Sequence, residues 1–166
     1  ICASSYFVSI EFPEAIVVGV ELESNNAKLA QKNNAKKNNV EILHAAIGSE
    51  SGTVEIDNLE GVNNDSFRVN QNLKLGNDSV EMITVSDIKK LYPETIPFII
   101  KIDIEGFEGE LFSRNTQWVK DFYLITMELH DWMLPKEATS KNFFKEHSKE
   151  NRDCYLKGDM VFSIKN

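Results

Sequence analysis

Three runs of β-branched and aliphatic residues in this sequence end in groups that can accept hydrogen bonds, bind cations or move protons. Ala15-Ile16-Val17-Val18-Gly19-Val20 ends in Glu21. Phe98-Ile99-Ile100-Lys101-Ile102 ends in Asp103, with Glu105 two residues on, and Phe122-Tyr123-Leu124-Ile125-Thr126-Met127 ends in Glu128, followed by His130. Such runs predict strands of a parallel sheet buried on both faces. Parallel strands joined by helices bring their carboxyl ends to one edge, where α/β sheets take their ligands. The three tips therefore converge on a polar cleft. An acid at the end of such a strand can hold the two hydroxyls of a cofactor ribose, the role that Glu21 fits. His130 is the candidate general base, with Asp103, Glu105 and Glu128 around it. Asp131 is not automatically its partner, because neighbours on an extended chain point to opposite faces. Metal ligation by His130, Asp103 and Glu128 is chemically conceivable, but no ligand spacing demands it and no metal is expected. Taken singly, each acid reads equally well as a solvated strand end.

The intervening elements must set these tips side by side. Ser4 to Phe12 has helical spacing and stops at Pro13, and Asn25-Asn26 can cap a helix in which Ala27, Leu29 and Ala30 recur. Val40 to Ile47 predicts a strand closing on Gly48, and the turn Ser51-Gly52 leads into an alternating strand, Thr53 to Ile56, expected antiparallel at a sheet edge. Asp57 to Asp78 is rich in Asn, Gly and Asp, as a covering loop would be. Val80 to Val85 predicts a strand, Ser86-Asp87 a helix cap, and Lys136 to Lys149 a polar helix anchored by Phe143 and Phe144. Cys154 to Ile164, turning at Gly158-Asp159, predicts a terminal hairpin. Trp118 reads as a core residue, Trp132 as a candidate pocket wall, His44 as packed or at an edge, and His147 as solvated. Alternating strands and helices predict an α/β fold with a mostly parallel sheet.

The 166 residues suffice for one domain, 1–166, with a sizeable core. With 42% apolar and 27% charged residues the composition is that of a soluble globular chain. The net charge of −8 disfavours nucleic acid or an anionic membrane as partner. No apolar run approaches the roughly 20 residues of a membrane span. Cys2 and Cys154 stand far apart without a CxxC pair, which argues against a zinc ribbon and suits a reducing, cytoplasmic setting. The P-loop and G-x-G-x-x-G patterns are both lacking, and Gly106-Phe107-Glu108-Gly109 is too acidic to cradle a pyrophosphate.

Lys101-Ile-Asp-Ile-Glu-Gly-Phe-Glu-Gly-Glu-Leu-Phe112 resembles the signature of the FkbM family of S-adenosylmethionine-dependent methyltransferases, a class I, Rossmann-like group. Val18 to Glu21, Ala45 to Gly48 with Ser51 to Glu55, Ile83 to Ile88, and Met127 to Asp131 resemble the family's other segments in order. The likeness runs from about Ala3 to Pro135. It implies a class I methyltransferase-like sheet flanked by helices and closed by a C-terminal antiparallel hairpin. The cofactor it implies is S-adenosyl-L-methionine, with Glu21 at the ribose hydroxyls, Ala45, Ala46 and Ile47 at the adenine, Leu22 also in contact with the cofactor, Asp103 at the methyl-transfer end, and Ser66 in a covering loop. The implied acceptor is a hydroxyl of a sugar, glycan or natural product. The family's first strand and its glycine-bearing loop are missing, Ile1 to Ser5 resembling the tail of that loop, so the sequence reads as part of a longer protein. The alternative from another class is a non-catalytic module that keeps the scaffold. A nicotinamide-dependent oxidoreductase on a similar sheet suits the signature less well.

Overall fold

A computed structural model of the chain describes residues 3–57, 68–70 and 79–166. Helix α1, Ala3–Glu11, ends just before Pro13 and is followed by strand β1, Val17–Glu21. Helix α2, Ser24–Asn34, leads to β2, Val40–His44, which pairs parallel with β1 so that Glu21 lies opposite His44. The cap of α2 is Glu23 rather than Asn25: its carboxylate accepts the amides of Asn25 and Asn26 at 3.0 and 2.7 Å. A charged acceptor at a helix N-terminus outcompetes a neutral amide.

The strand predicted over Val40 to Ile47 is two strands. It breaks at Ala45, whose amide donates to the Glu21 carbonyl, and β3, Ala46–Ile47, then pairs with another sheet. That sheet has the order β3-β6-β4-β5, with β4 Gly52–Asp57, β5 Arg68–Asn70 and β6 Ser79–Ile83. The strand over Thr53 to Ile56 is antiparallel as expected but is not an edge, because β5 covers its outer side. β5 comes from the segment read as loop; the remainder of that segment, including Ser66 and Phe67, lies outside the described residues.

Helix α3, Val85–Leu91, is capped by Thr84 rather than by Ser86. Thr84 and Asp87 exchange hydrogen bonds in a capping box. Strand β7, Ile99–Ile102, precedes the short helix α4, Glu108–Leu111, a 3-10 turn over Thr116–Lys120, and β8, Leu124–Glu128. Helix α5, Lys141–His147, is half the predicted length; Lys136 and Ala138 have positive φ and break its first part. The hairpin of β9, Arg152–Lys157, and β10, Met160–Lys165, turns at Gly158 as expected. Its last strand inserts beside β8 to give the order β7-β8-β10-β9.

The fold is α/β with strands of both senses. The pairs β1-β2, β3-β6 and β7-β8 are parallel, while β4-β5, β4-β6, β8-β10 and β9-β10 are antiparallel. A single, mostly parallel sheet is therefore not what the described residues form. The hairpin and the β4 excursion contribute the antiparallel pairs, and β1 and β7 each keep one side without a strand among the described residues. For the same reason β1 and β7 are only partly buried: Lys101 is exposed, and Ile102 alone of its strand is deeply buried. The main core lies under β8, where Ile102, Leu111, Phe112, Trp118, Ile125, Met127, Phe143 and Val161 pack together. Trp118 is in that core as predicted, and no helix is long and apolar enough to cross a membrane among the described residues.

Candidate functional site

Parallel pairing of β7 with β8 sets Ile102 beside Met127, so the next residues, Asp103 just past β7 and Glu128 at the end of β8, come side by side. Two positions beyond Glu128 the chain reaches His130 and turns, the amides of Met133 and Leu134 returning to the His130 carbonyl. The His130 imidazole is 2% exposed. Its Nδ1 lies 2.8 Å from Oε1 of Glu108, which is 1% exposed. Its Nε2 faces Glu105 at 3.6 Å, and Asp103 and Glu128 at 4.0 Å each. All four residues assigned to the chemistry from the sequence are thus in one cluster.

The loop between β7 and α4 makes this possible. Glu105 adopts a left-handed backbone, φ 51°, and Gly106 follows at φ 95°. A Cβ on Gly106 would also stand 2.3 Å from Leu134 Cδ1. The chain doubles back there, the amide of Gly106 donates to Glu108 Oε1 at 3.2 Å, and Glu108 is carried under His130. Gly109 lets the Thr139 backbone approach, its Cβ position lying 3.4 Å from the Thr139 carbonyl oxygen, and its own carbonyl accepts from Asn142. The two glycines therefore serve the packing of the His130–Asn142 segment against the signature and do not cradle a phosphate.

The electrostatics of the cluster are lopsided. Four carboxylates surround one imidazole, and the Asp103, Glu105 and Glu128 side chains are about a third exposed, forming an open mouth over a sealed base. Burial pushes the Glu105 carboxyl up from its usual range. The His130 imidazole opposes this, and the Asp103, Glu128 and Glu108 carboxylates push further upward. Lys101 offsets part of the charge through an ion pair to Asp103 Oδ2 at 2.6 Å. The second oxygen of Glu108 is buried without a hydrogen-bond partner among the described residues. Asp103, Glu105 and His130 each place one ligand atom within 4.8 Å of the others, a spacing suited to a metal ion that no sequence pattern had required.

The β1 tip is built differently. Glu21 Oε1 accepts the Glu23 amide at 3.0 Å, and no hydrogen bond or ion pair joins Glu21 to the His130 cluster among the described residues. Leu22 packs with Phe107 against Ala46, Val54 and Met82. Ala45 and Ala46 are buried, and Ser49, just beyond Ile47, binds the Glu110 carboxylate through its amide at 3.1 Å and its hydroxyl at 2.5 Å. The predicted cofactor wall and the signature loop are therefore one packed unit. Ser66 lies outside the described residues.

Glu108 was given no role by sequence reasoning, although it is His130's partner. Its position at the start of a helix, one turn from buried Leu111 and Phe112, was the available signal that it faces inward. Asp131 instead accepts a long bond from the Ser140 amide. His44 is exposed, with Nε2 3.1 Å from the Leu22 carbonyl oxygen, whereas His147, predicted solvated, is half-buried and bonds Ser163 Oγ. Trp132 is 71% exposed and stands clear of the cluster's interior. Compared with known protein families, characterised proteins and solved structures, the chain matches none.

Proposed function

We propose that this chain is the greater part of a class I methyltransferase-like domain that moves a methyl group from S-adenosylmethionine to a hydroxyl oxygen. The observation that carries the reading is the parallel pairing of β1 with β2 and of β7 with β8. In a doubly wound sheet of order 3-2-1-4-5, β2, β1, β7 and β8 take the places of strands 3, 2, 4 and 5. The place of strand 1 then falls between the free sides of β1 and β7, and the switch point where such sheets bind cofactors lies between Glu21 and Asp103. Phe12 and Phe98, with ring centroids 5.7 Å apart, join the two halves at the opposite ends of these strands. In this reading Glu21 holds the ribose hydroxyls, Leu22 and Ala45 to Ile47 flank the adenine, and Asp103 marks the methyl-transfer end.

The transfer forms an oxygen–carbon bond as the sulfur–carbon bond breaks. The breaking bond's electron pair stays on sulfur, and the acceptor's hydroxyl proton must leave. Alignment of the hydroxyl with the sulfonium methyl supplies most of the acceleration, and the cluster around His130 Nε2 is the place that handles the proton. The acceptor class that suits a polar mouth of this kind is a small polyhydroxylated molecule or glycan.

Calorimetric titration of S-adenosylmethionine against the chain, and against a version extended upstream by one strand and its loop, tests the reading. Binding to the extended version, lost on Glu21→Ala, is expected; binding by neither version refutes it. The sides of β1 and β7 that carry no strand among the described residues favour a second reading, a scaffold without turnover, which predicts binding with no methyl transfer to any hydroxylated acceptor.

A further inference from the structure

We infer that Asp103, Glu105 and His130 form a binding site for a divalent transition-metal ion of the Mn2+ type, with Glu108 holding the histidine. Carboxylates alone would be an ordinary acidic patch. The independent observation is the buried imidazole aimed into them. The Glu108 carboxylate, 2.8 Å from Nδ1, fixes the ring so that Nε2 faces the acids. Nε2 makes no hydrogen bond among the described residues. It lies instead 3.6 to 4.0 Å from three carboxylate oxygens, too far for hydrogen bonds and wide enough for a cation to bridge them.

The geometry fits a dication. Metal–ligand bonds of about 2.0–2.2 Å give neighbouring ligand atoms separations of about 3.0–3.5 Å, so small side-chain movements would complete the contacts. Asp103 binds Lys101 through Oδ2 and presents Oδ1 to the site, so the lysine need not leave. Glu108, His130 and the ion form the carboxylate–histidine–metal relay that fixes ring orientation in metal sites. One imidazole with hard oxygen donors is a mixed set that favours Mn2+ over the purely oxygen-seeking Mg2+ and over thiolate-seeking ions. The open mouth leaves positions for water or for an acceptor hydroxyl.

The use of the ion rests on the methyl-transfer reading; its binding does not. An acceptor oxygen bound to the dication loses its proton more readily, and Glu128, the remaining carboxylate at 4.0 Å, receives it. The alkoxide then takes the methyl group and the electron pair of the broken bond stays on sulfur. His130 acts as a ligand in this scheme.

The test is Mn2+ titration of the chain followed by electron paramagnetic resonance, with Glu105→Gln, Asp103→Asn and Glu108→Gln alongside. Glu105 and Asp103 are at the open mouth, so these variants are expected to fold, which circular dichroism checks. The wild type is expected to quench the free-ion signal at one tight site. Glu108→Gln should weaken binding about 10–100-fold while the ligand set stays complete, and the two ligand variants should lose more. No Mn2+ binding by the wild type at millimolar concentration, or unchanged affinity in both ligand variants, overturns the site. Cofactor titration without metal separates the two proposals: a chain that binds S-adenosylmethionine but not Mn2+ loses only the cation site. Mn2+ binding that depends on Glu105 and Asp103 supports the site even if the cofactor does not bind.

Discussion

Strands β1 and β7 look alike in sequence, each a short aliphatic run ending in an acid, yet their tips are built in opposite ways. At the β7 tip the backbone reverses through a left-handed glutamate and a glycine, and a buried Glu108–His130 pair stands behind the acids. At the β1 tip the Glu21 carboxylate receives one local backbone bond and has no other hydrogen bond among the described residues. On the proposed reading, the difference is that between a group fixed for one geometry and a group left free to meet a flexible ligand. Holding an imidazole at a reaction centre needs a second layer of partners, whereas accepting two hydroxyls needs only an unoccupied carboxylate.

The comparison breaks most sharply at His130. His130→Ala leaves the buried Glu108 carboxyl without the one side-chain partner it has among the described residues, an expected loss of about 3–5 kcal/mol in urea unfolding. Adding Glu108→Ala should recover part of it; no recovery would mean that the pair is not coupled. Next in size is Gly106→Ala, which combines left-handed strain with the clash against Leu134, about 2–4 kcal/mol in the same assay. Gly52, with nothing within 4 Å of its Cβ position, is the matched control and should change stability by less than about 0.5 kcal/mol. Glu21→Ala should leave stability within about 0.5 kcal/mol but weaken S-adenosylmethionine by about 1.5–3 kcal/mol in the extended version, the worth of charged hydrogen bonds. A stability loss there as large as at His130 would erase the distinction between the two tips.

The smallest effect separates both tips from a structural acid. Hydrogen bonds from Lys90, Ser51 and Thr84 hold the Asp87 carboxyl far below its usual range. Its folded pKa lies below the unfolded value of about 3.9, so its contribution is full above that pH and is lost as pH falls through the folded pKa. Asp87→Asn should therefore be less stable than the wild type near neutrality, and the gap should narrow as acid unfolding is followed below pH ~4. Glu105, whose carboxyl is shifted upward, should show the reverse sign: Glu105→Gln removes a strained charge and should raise stability slightly near neutrality.

The strand tips were legible because a buried run cannot continue through an acid; the boundary is a solvation event and is visible in one dimension. So was Trp118, a large apolar residue with nowhere else to go. The partnership of Glu108 with His130, 22 residues apart, was not legible, because it depends on where Gly106 turns the chain. Nor was the edge status of β4, since β5 comes from a polar segment without periodicity. The helix caps slipped by one or two residues for a similar reason. Glu23 won over Asn25 as a charged acceptor and Thr84 over Ser86 through its reciprocal bonds with Asp87, choices that depend on where the helix starts. The class I topology and the methyltransferase role are legible as a resemblance and stand as proposals for the binding experiments.

Strand β8 has a hydrogen-bonded neighbour on both sides, β7 and β10, and the core beneath it. Its amides can exchange with solvent deuterium only when the whole β7–β10 sheet opens, whereas those on the free side of β1 can exchange through local fluctuation. The imidazole at the end of β8 is thus carried by a strand held on both sides. Its position should hold on the timescale of minutes to hours while the outer side of β1 breathes.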